Sequence, residues 1–258
     1  MEREEFYIGY LNKTPKGISG FVKGIVLLVF VLMICGGFFL AKQQRKFSNA
    51  VFEYGSDKEY TGVYSGVPVP SIKIINQRDS TGNILNMNIP LVGYGKHGAE
   101  SAIEKYEKEN SVSLSGMVVT FKGDLIYGDV KTLLSLSAEA PIIKFENTNQ
   151  LPDEMIFISD SVLHGEIIDP KCYFGVMKPG FGKVHRECAI RCISGGIPPV
   201  FRAKQGNGAY NYFILLGENG ERINQEVLPY VADKVELKGK LFQWGNWMIL
   251  KVSTITNI

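Results

Sequence analysis

The chain has 258 residues, 45% hydrophobic and 21% charged, with a formal net charge of +2. That balance excludes a disordered or collagen-like protein and gives no global electrostatic case for nucleic acid. The length suits one large domain or two small ones. Frequent Gly with Val, Ile, Phe and Tyr favours short strands and tight turns over a helical bundle.

A polar tail, residues 1–23, precedes the run 24–41, GIVLLVFVLMICGGFFLA, which carries no charge. The run is at the short end of what spans a bilayer as a helix, and it lacks the polar face of a soluble core helix. A signal peptide would be followed by a small-residue cleavage site, whereas this run ends in KQQRK, so an uncleaved transmembrane anchor is expected. The flanking bases tie, with Arg3, Lys13, Lys16 and Lys23 before the run and Lys42, Arg45, Lys46 and Lys58 after it. The positive-inside rule therefore does not orient the chain. A short tail with a large following body is the simpler signal-anchor arrangement, which sets the body in the periplasm or outside the cell. Cys35 and Gly36–Gly37 lie in the anchor, as tolerated small residues or as a close helix contact.

Residues 42–60 read as a polar stalk. A first β domain is expected over 61–147, with strands in GVYSGVPVPSIKII and NILNMNIPLVGYG, a helix over 98–109, and strands SVSLSGMVVTF, LIYGDV and TLLSLS. Lys122–Asp124 is expected as a turn between the first two of that trio. A second β domain is expected over 155–258. MIFISD and SVLHGEIIDPKCYFG are strand-like, 183–193 is a short helix stopped by Gly195–Gly196 and sealed by Pro198–Pro199, and INQEVLPYVAD is another. Strands PVFRAK, YNYFILLGENG, KVELKGKLFQW and WMILKVSTI complete the block, with a turn at Gly245–Asn246. The two blocks rhyme: Val112-x-Leu114-x-Gly116 and Val235-x-Leu237-x-Gly239 each follow a helix and precede a hairpin. Strands with Gly at a bend suit a small closed barrel. The fold class expected is mainly β with short helices: an N-terminal transmembrane helix followed by two small barrels of the OB type.

The chemistry concentrates in one stretch. Cys172 ends an apolar run, and His185, Cys188 and Cys192 follow in GKVHRECAIRCISGGIPP. The last three share one face if the segment is helical. Three thiols and an imidazole form a set that suits tetrahedral zinc, and its softness also admits copper(I) or an iron–sulfur centre. A disulfide from Cys172 to Cys188 or Cys192, or a redox-active thiol pair, uses the same residues. Asp169 is a candidate second-layer partner of His185, or simply begins a turn. Between 171 and 204 seven bases face one acid, Glu187. Lys171, Lys183, Arg186 and Arg191 are therefore candidate anion- or partner-binding residues, or a solvated basic face.

With these residues in view, 163–255 resembles a functionally uncharacterised family of bacterial exported or membrane-anchored small domains. The shared pattern is D-x-x-C-Y, H-x-x-C-A-x-x-C and G-x-P, matched by Asp169, Cys172, His185, Cys188 and Cys192. The resemblance implies an OB-like domain and an exported location, and no activity.

There is no GxSxG, HExxH or Walker loop, so a stand-alone hydrolytic enzyme is not expected. The reading favoured is a membrane-anchored accessory protein whose metal or redox site works beside a membrane-bound complex, with the lipid bilayer as its first partner. The alternative is a non-catalytic interaction module stiffened by a disulfide. The least favoured is nucleic-acid binding on a barrel face, with Tyr210, Tyr212 and Phe213 stacking beside Arg202 and Lys204.

Overall fold

The computed structural model describes residues 16–44, 50–74, 87–148, 153–175, 177–206 and 208–258. The tail bases Arg3 and Lys13, and Arg45 and Lys46 of the expected stalk, lie outside them. The chain divides into two compact units between Ser48 and Asn49.

Among the described residues, the first unit holds one helix, α1 (Lys16–Gln44). Its 17–43 portion is apolar and long enough to cross a membrane, and none of it is buried by the protein itself. At 1.5 Å per residue that portion is about 40 Å long, more than the roughly 30 Å of a hydrocarbon core. The helix thus extends beyond the 24–41 run at both ends and includes Lys23, whose long side chain is able to reach the interface.

The second unit holds two five-stranded barrels of one topology. In the first, β1 (Ala50–Phe52), β2 (Lys58–Ser65), β3 (Ser71–Ile74) and β4 (Asn88–Val92) precede α2 (Glu100–Asn110). β5 (Val118–Gly128), β6 (Lys131–Leu136) and β7 (Ile142–Glu146) follow. β2, β3 and β4 form an antiparallel meander, β6 joins β4 in parallel, and β5 pairs with both β6 and β2, closing the ring. β1 and β7 add to β5 outside the ring. β1 and the start of β2 fall in 42–60, so the later part of the segment read as stalk is sheet.

The second barrel is built from β8 (Ile156–Ile168), β9 (Val200–Lys204), β10 (Tyr210–Gly217), β11 (Lys234–Trp244) and β12 (Trp247–Asn257). Its ring runs β10-β12-β11-β8-β9, with β10 and β12 parallel. The registers of the two barrels superpose. Gly62 pairs with Val119 and Ile74, and Gly165 pairs with Val235 and Ala203. Four residues beyond each of those valines lies a glycine, Gly123 and Gly239. A Cβ on any of the four would run into the carbonyl oxygen of a paired strand: Lys73, Arg202, Ser135 or Lys251. Tight coiling of the barrel brings backbones that close, and only glycine permits it.

The duplication is therefore present, but its partner for Gly239 is Gly123, not Gly116. Residues 122–124 lie inside the unbroken strand β5, so the expected turn there is absent. The chain reverses instead at Asp129–Val130, both with positive φ. Likewise MIFISD and SVLHG lie in one strand, β8, which pairs with β11 from Ile156 to Glu166 and passes a bulge at Ile158 without ending. In INQEVLPYVAD the chain makes turns and only a single 3₁₀ turn, Leu228–Tyr230. Pro229 lacks the N–H that a longer helix would use.

The barrels share an apolar seam. Val69, Ile126 and Leu133 of the first pack with Ile168, Phe174, Tyr212, Trp244 and Trp247 of the second. The strand 1–2 connection differs most between the copies. In the first barrel it is 66–70; in the second it is 169–199, carrying α3 (Pro170–Phe174) and α4 (Arg186–Ser194). That insertion holds three of the four cysteines.

Candidate metal centre

α3 is one turn long and is fixed at both ends. Pro170 supplies the helical φ at its start, and the Asp169 Oδ1 accepts from the Lys171 N–H at 2.9 Å. Phe174 stacks edge-on against Tyr212 and Trp247 in the seam between the barrels. Cys172 therefore sits on a short helix, not on a strand end, and its sulfur is held by packing on its neighbours.

A 3₁₀ turn, Lys183–His185, leads into α4. Ala189, Cys192 and Ile193 form the buried face of α4. The Asn224 side chain caps its end, donating to Ile193 O at 2.7 Å, and also to Ile197 O beyond the helix at 2.9 Å. Cys192 packs with Val92 and Ile197, and Cys172 and Cys188 pack onto that cluster. Val92 belongs to the first barrel, so the cysteines lie at the junction of both.

The donor atoms form two overlapping groups: Cys172, His185 and Cys188, and Asp169, Cys172 and Cys192. Within each, the atoms lie within 4.8 Å of one another. The Cys172 and Cys188 sulfurs are 3.9 Å apart. Two sulfurs on one tetrahedral ion at about 2.3 Å lie about 3.8 Å from each other, whereas a disulfide needs about 2.05 Å. All four cysteines are free thiols. Asp169 is 0% exposed and His185 5% exposed, yet Asp169 Oδ2 and His185 Nε2 have no hydrogen-bond partner among the described residues. Buried polar atoms without partners cost about 1–3 kcal/mol each, so a ligand that engages them would recover stability. The donor set fits a soft or borderline metal ion: Cys172, His185 and Cys188 are able to hold one.

The electrostatics are set by crowding. The neighbouring Cys192 thiol, then burial, then the Asp169 carboxylate push the Cys172 thiol above its ordinary value. Burial lowers His185, partly offset by Asp169. In this environment the imidazole favours its neutral form, which is the form that ligates metal.

The first barrel contributes what the sequence did not signal. Its 93–98 loop, between β4 and α2, lies against the insertion. Lys96 Nζ reaches Cys188 Sγ at 3.4 Å, and the Gly98 N–H donates to Gly195 O at 2.9 Å. The Lys96 ammonium is raised by that contact with Cys188. The glycine-rich GYGKHG was the visible trace, but nothing local ties it to residues a hundred positions away.

The candidate anion-binding residues separate. Lys171 is not a surface base: it is buried and donates to Gly93 O at 2.7 Å and Gly95 O at 2.9 Å, joining the barrels. Burial lowers its pKa. Lys183 and Arg186 both pair with Asp233, an acid from beyond β10 that the 171–204 count left out. Arg191 is exposed on α4. Of the residues considered for base stacking, Tyr212 and Phe213 are buried, Tyr212 donating to Asp129. The Arg202 guanidinium lies 3.6 Å from the Tyr210 ring and 4.4 Å from Phe181, so its face is already covered.

No family model, no curated protein and no solved structure matches this chain.

Proposed function

We propose that this protein is a membrane-anchored metal carrier, whose body binds one or more thiophilic ions at the barrel junction and works beside a membrane-bound complex. The observation that carries the reading is the 3.9 Å separation of the Cys172 and Cys188 sulfurs, with the buried, unpartnered His185 Nε2 in the same cluster. The spacing fits two ligands of one tetrahedral ion. The apolar α1 supports anchoring, and a location of the body outside the cytoplasm accords with the family resemblance of 163–255. When bound, zinc(II) would supply a Lewis-acid centre and copper(I) an electron-donating one. The residues of the chain supply two sulfurs, a neutral imidazole and the Lys96 ammonium beside Cys188.

A second reading rests on the same pair: oxidation of Cys172 and Cys188 to a disulfide, closing a 3.9 Å gap and stiffening the insertion. The experiment is elemental analysis of full-length protein purified in detergent under argon, as wild type, Cys172→Ser and Cys35→Ser. Metal retained in wild type and Cys35→Ser but lost in Cys172→Ser supports the carrier. Equal, near-zero metal in all three, with a single titratable thiol in 42–258, would establish the disulfide module instead.

A further inference from the structure

The ligand cluster is not one tetrahedron. Four predicted ligands, Cys172, His185, Cys188 and Cys192, would have to close around a single point, and among the described residues no such foursome meets. The donors fall into two threes that share only the Cys172 sulfur. The division follows from the helix. His185 ends the 3₁₀ turn before α4 and Cys188 stands in the first turn of α4, whereas Cys192 is one turn beyond Cys188, a rise of about 6 Å. That turn carries Cys192 to the side where Asp169 closes the N-terminus of α3.

Asp169 is built to face that second group. Its Oδ1 is used by the cap of α3, at 2.9 Å from the Lys171 N–H. Its Oδ2 is buried, unpartnered and left for another ligand. Each three thus has its own buried orphan: His185 Nε2 in the first, Asp169 Oδ2 in the second. One ion satisfies one of them. Two ions, each taking three protein atoms and joined through one thiolate, satisfy both.

We infer that the junction holds a dinuclear centre, with one ion on Cys172, His185 and Cys188, a second on Asp169, Cys172 and Cys192, and the Cys172 thiolate bridging them. The inference rests on the metal-carrier reading and adds the count, the bridge and a ligating role for Asp169. The ions are of the thiophilic class, zinc(II) or copper(I). As each ion binds, the ligating thiols release their protons to solvent, so every sulfur becomes a thiolate and no electron changes hands.

The test uses full-length protein in detergent micelles, reduced under argon and titrated with zinc(II) alone, the ions per chain being counted by native mass spectrometry. Wild type is expected to saturate at two. Asp169→Asn, which keeps the Oδ1 cap, and Cys192→Ser should each saturate at one, and Cys172→Ser should hold none. Saturation of wild type at one, unchanged in Asp169→Asn, would overturn the dinuclear centre and leave the carrier intact. No zinc at all would remove both, and two ions retained in Asp169→Asn would place the second elsewhere. Cobalt(II) titration of wild type gives an independent reading that needs no variant to fold. Its electron-paramagnetic signal should grow to one equivalent and fall as the second ion couples through the bridging sulfur. Steady growth to two equivalents would contradict the bridge.

Discussion

Gly98 is where the barrel junction is most open to a minimal perturbation. It lies in the loop that carries Lys96, and a Cβ there would stand 2.8 Å from the carbonyl carbon of Gly196 and closer still to its oxygen. Ordinary contacts begin near 3.4 Å, so in Gly98→Ala one backbone must retreat by more than half an ångström. Backbone yields less readily than side chain, and overpacking of this kind costs about 1–3 kcal/mol. The same retreat stretches the 2.9 Å bond from Gly98 N–H to Gly195 O, worth about 1 kcal/mol. A total near 3 kcal/mol should lower the melting temperature of a body this size by roughly 6–12 °C. Gly206→Ala is the control, because a Cβ there meets nothing within 4 Å. The assay is thermal unfolding of both variants by circular dichroism, followed by competitive zinc titration. Gly98→Ala should also bind zinc more weakly, because Lys96 moves with the loop. If the two alanine variants melt together, the close approach of the barrels at this point is wrong.

Val130 adopts φ 60° and is 95% exposed, a β-branched residue in a region it disfavours with no packing to compensate. Val130→Gly should stabilise the protein by about 1 kcal/mol in urea unfolding; a loss of stability would mean that the β5–β6 turn differs from that described. Burial opposes ionisation of Asp124, but its contacts with the N–H groups of Asp57 and Gly55 and the Ser56 hydroxyl outweigh it and hold the carboxyl below its usual range. A carboxyl lowered on folding stabilises above its unfolded value of about 3.9, and that contribution disappears as pH falls through the lower folded value. Asp124→Asn should therefore cost about 1–2 kcal/mol at pH 7, with the gap to wild type narrowing below about pH 4. A gap of constant size from pH 7 to pH 3 would show that the charge on Asp124 is not what matters.

The barrels were readable because their signals are local: short apolar runs, Gly at the bends, and a helix between the third and fourth strands of the first barrel. The register of the repeat was not, since Gly116 and Gly123 look alike in sequence and only the close approach of the Ser135 carbonyl singles out the second. The cysteine-bearing helix was visible in the i, i+3, i+7 spacing of His185, Cys188 and Cys192. What could not be read was the depth of each donor along that helix, which decides that Cys192 turns to Asp169 and not to His185. The basic excess of 171–204 misled for a related reason. Asp233 and the Gly93 and Gly95 carbonyls, which engage Lys183, Arg186 and Lys171, are distant in sequence and meet them only after both barrels close.

X-ray absorption at the zinc edge of the zinc-loaded, full-length protein looks at the first layer of ligands directly. The account predicts sulfur scatterers at about 2.3 Å together with nitrogen or oxygen at about 2.0–2.1 Å. A shell of nitrogen and oxygen alone would place the zinc away from Cys172 and contradict a thiolate centre between the barrels.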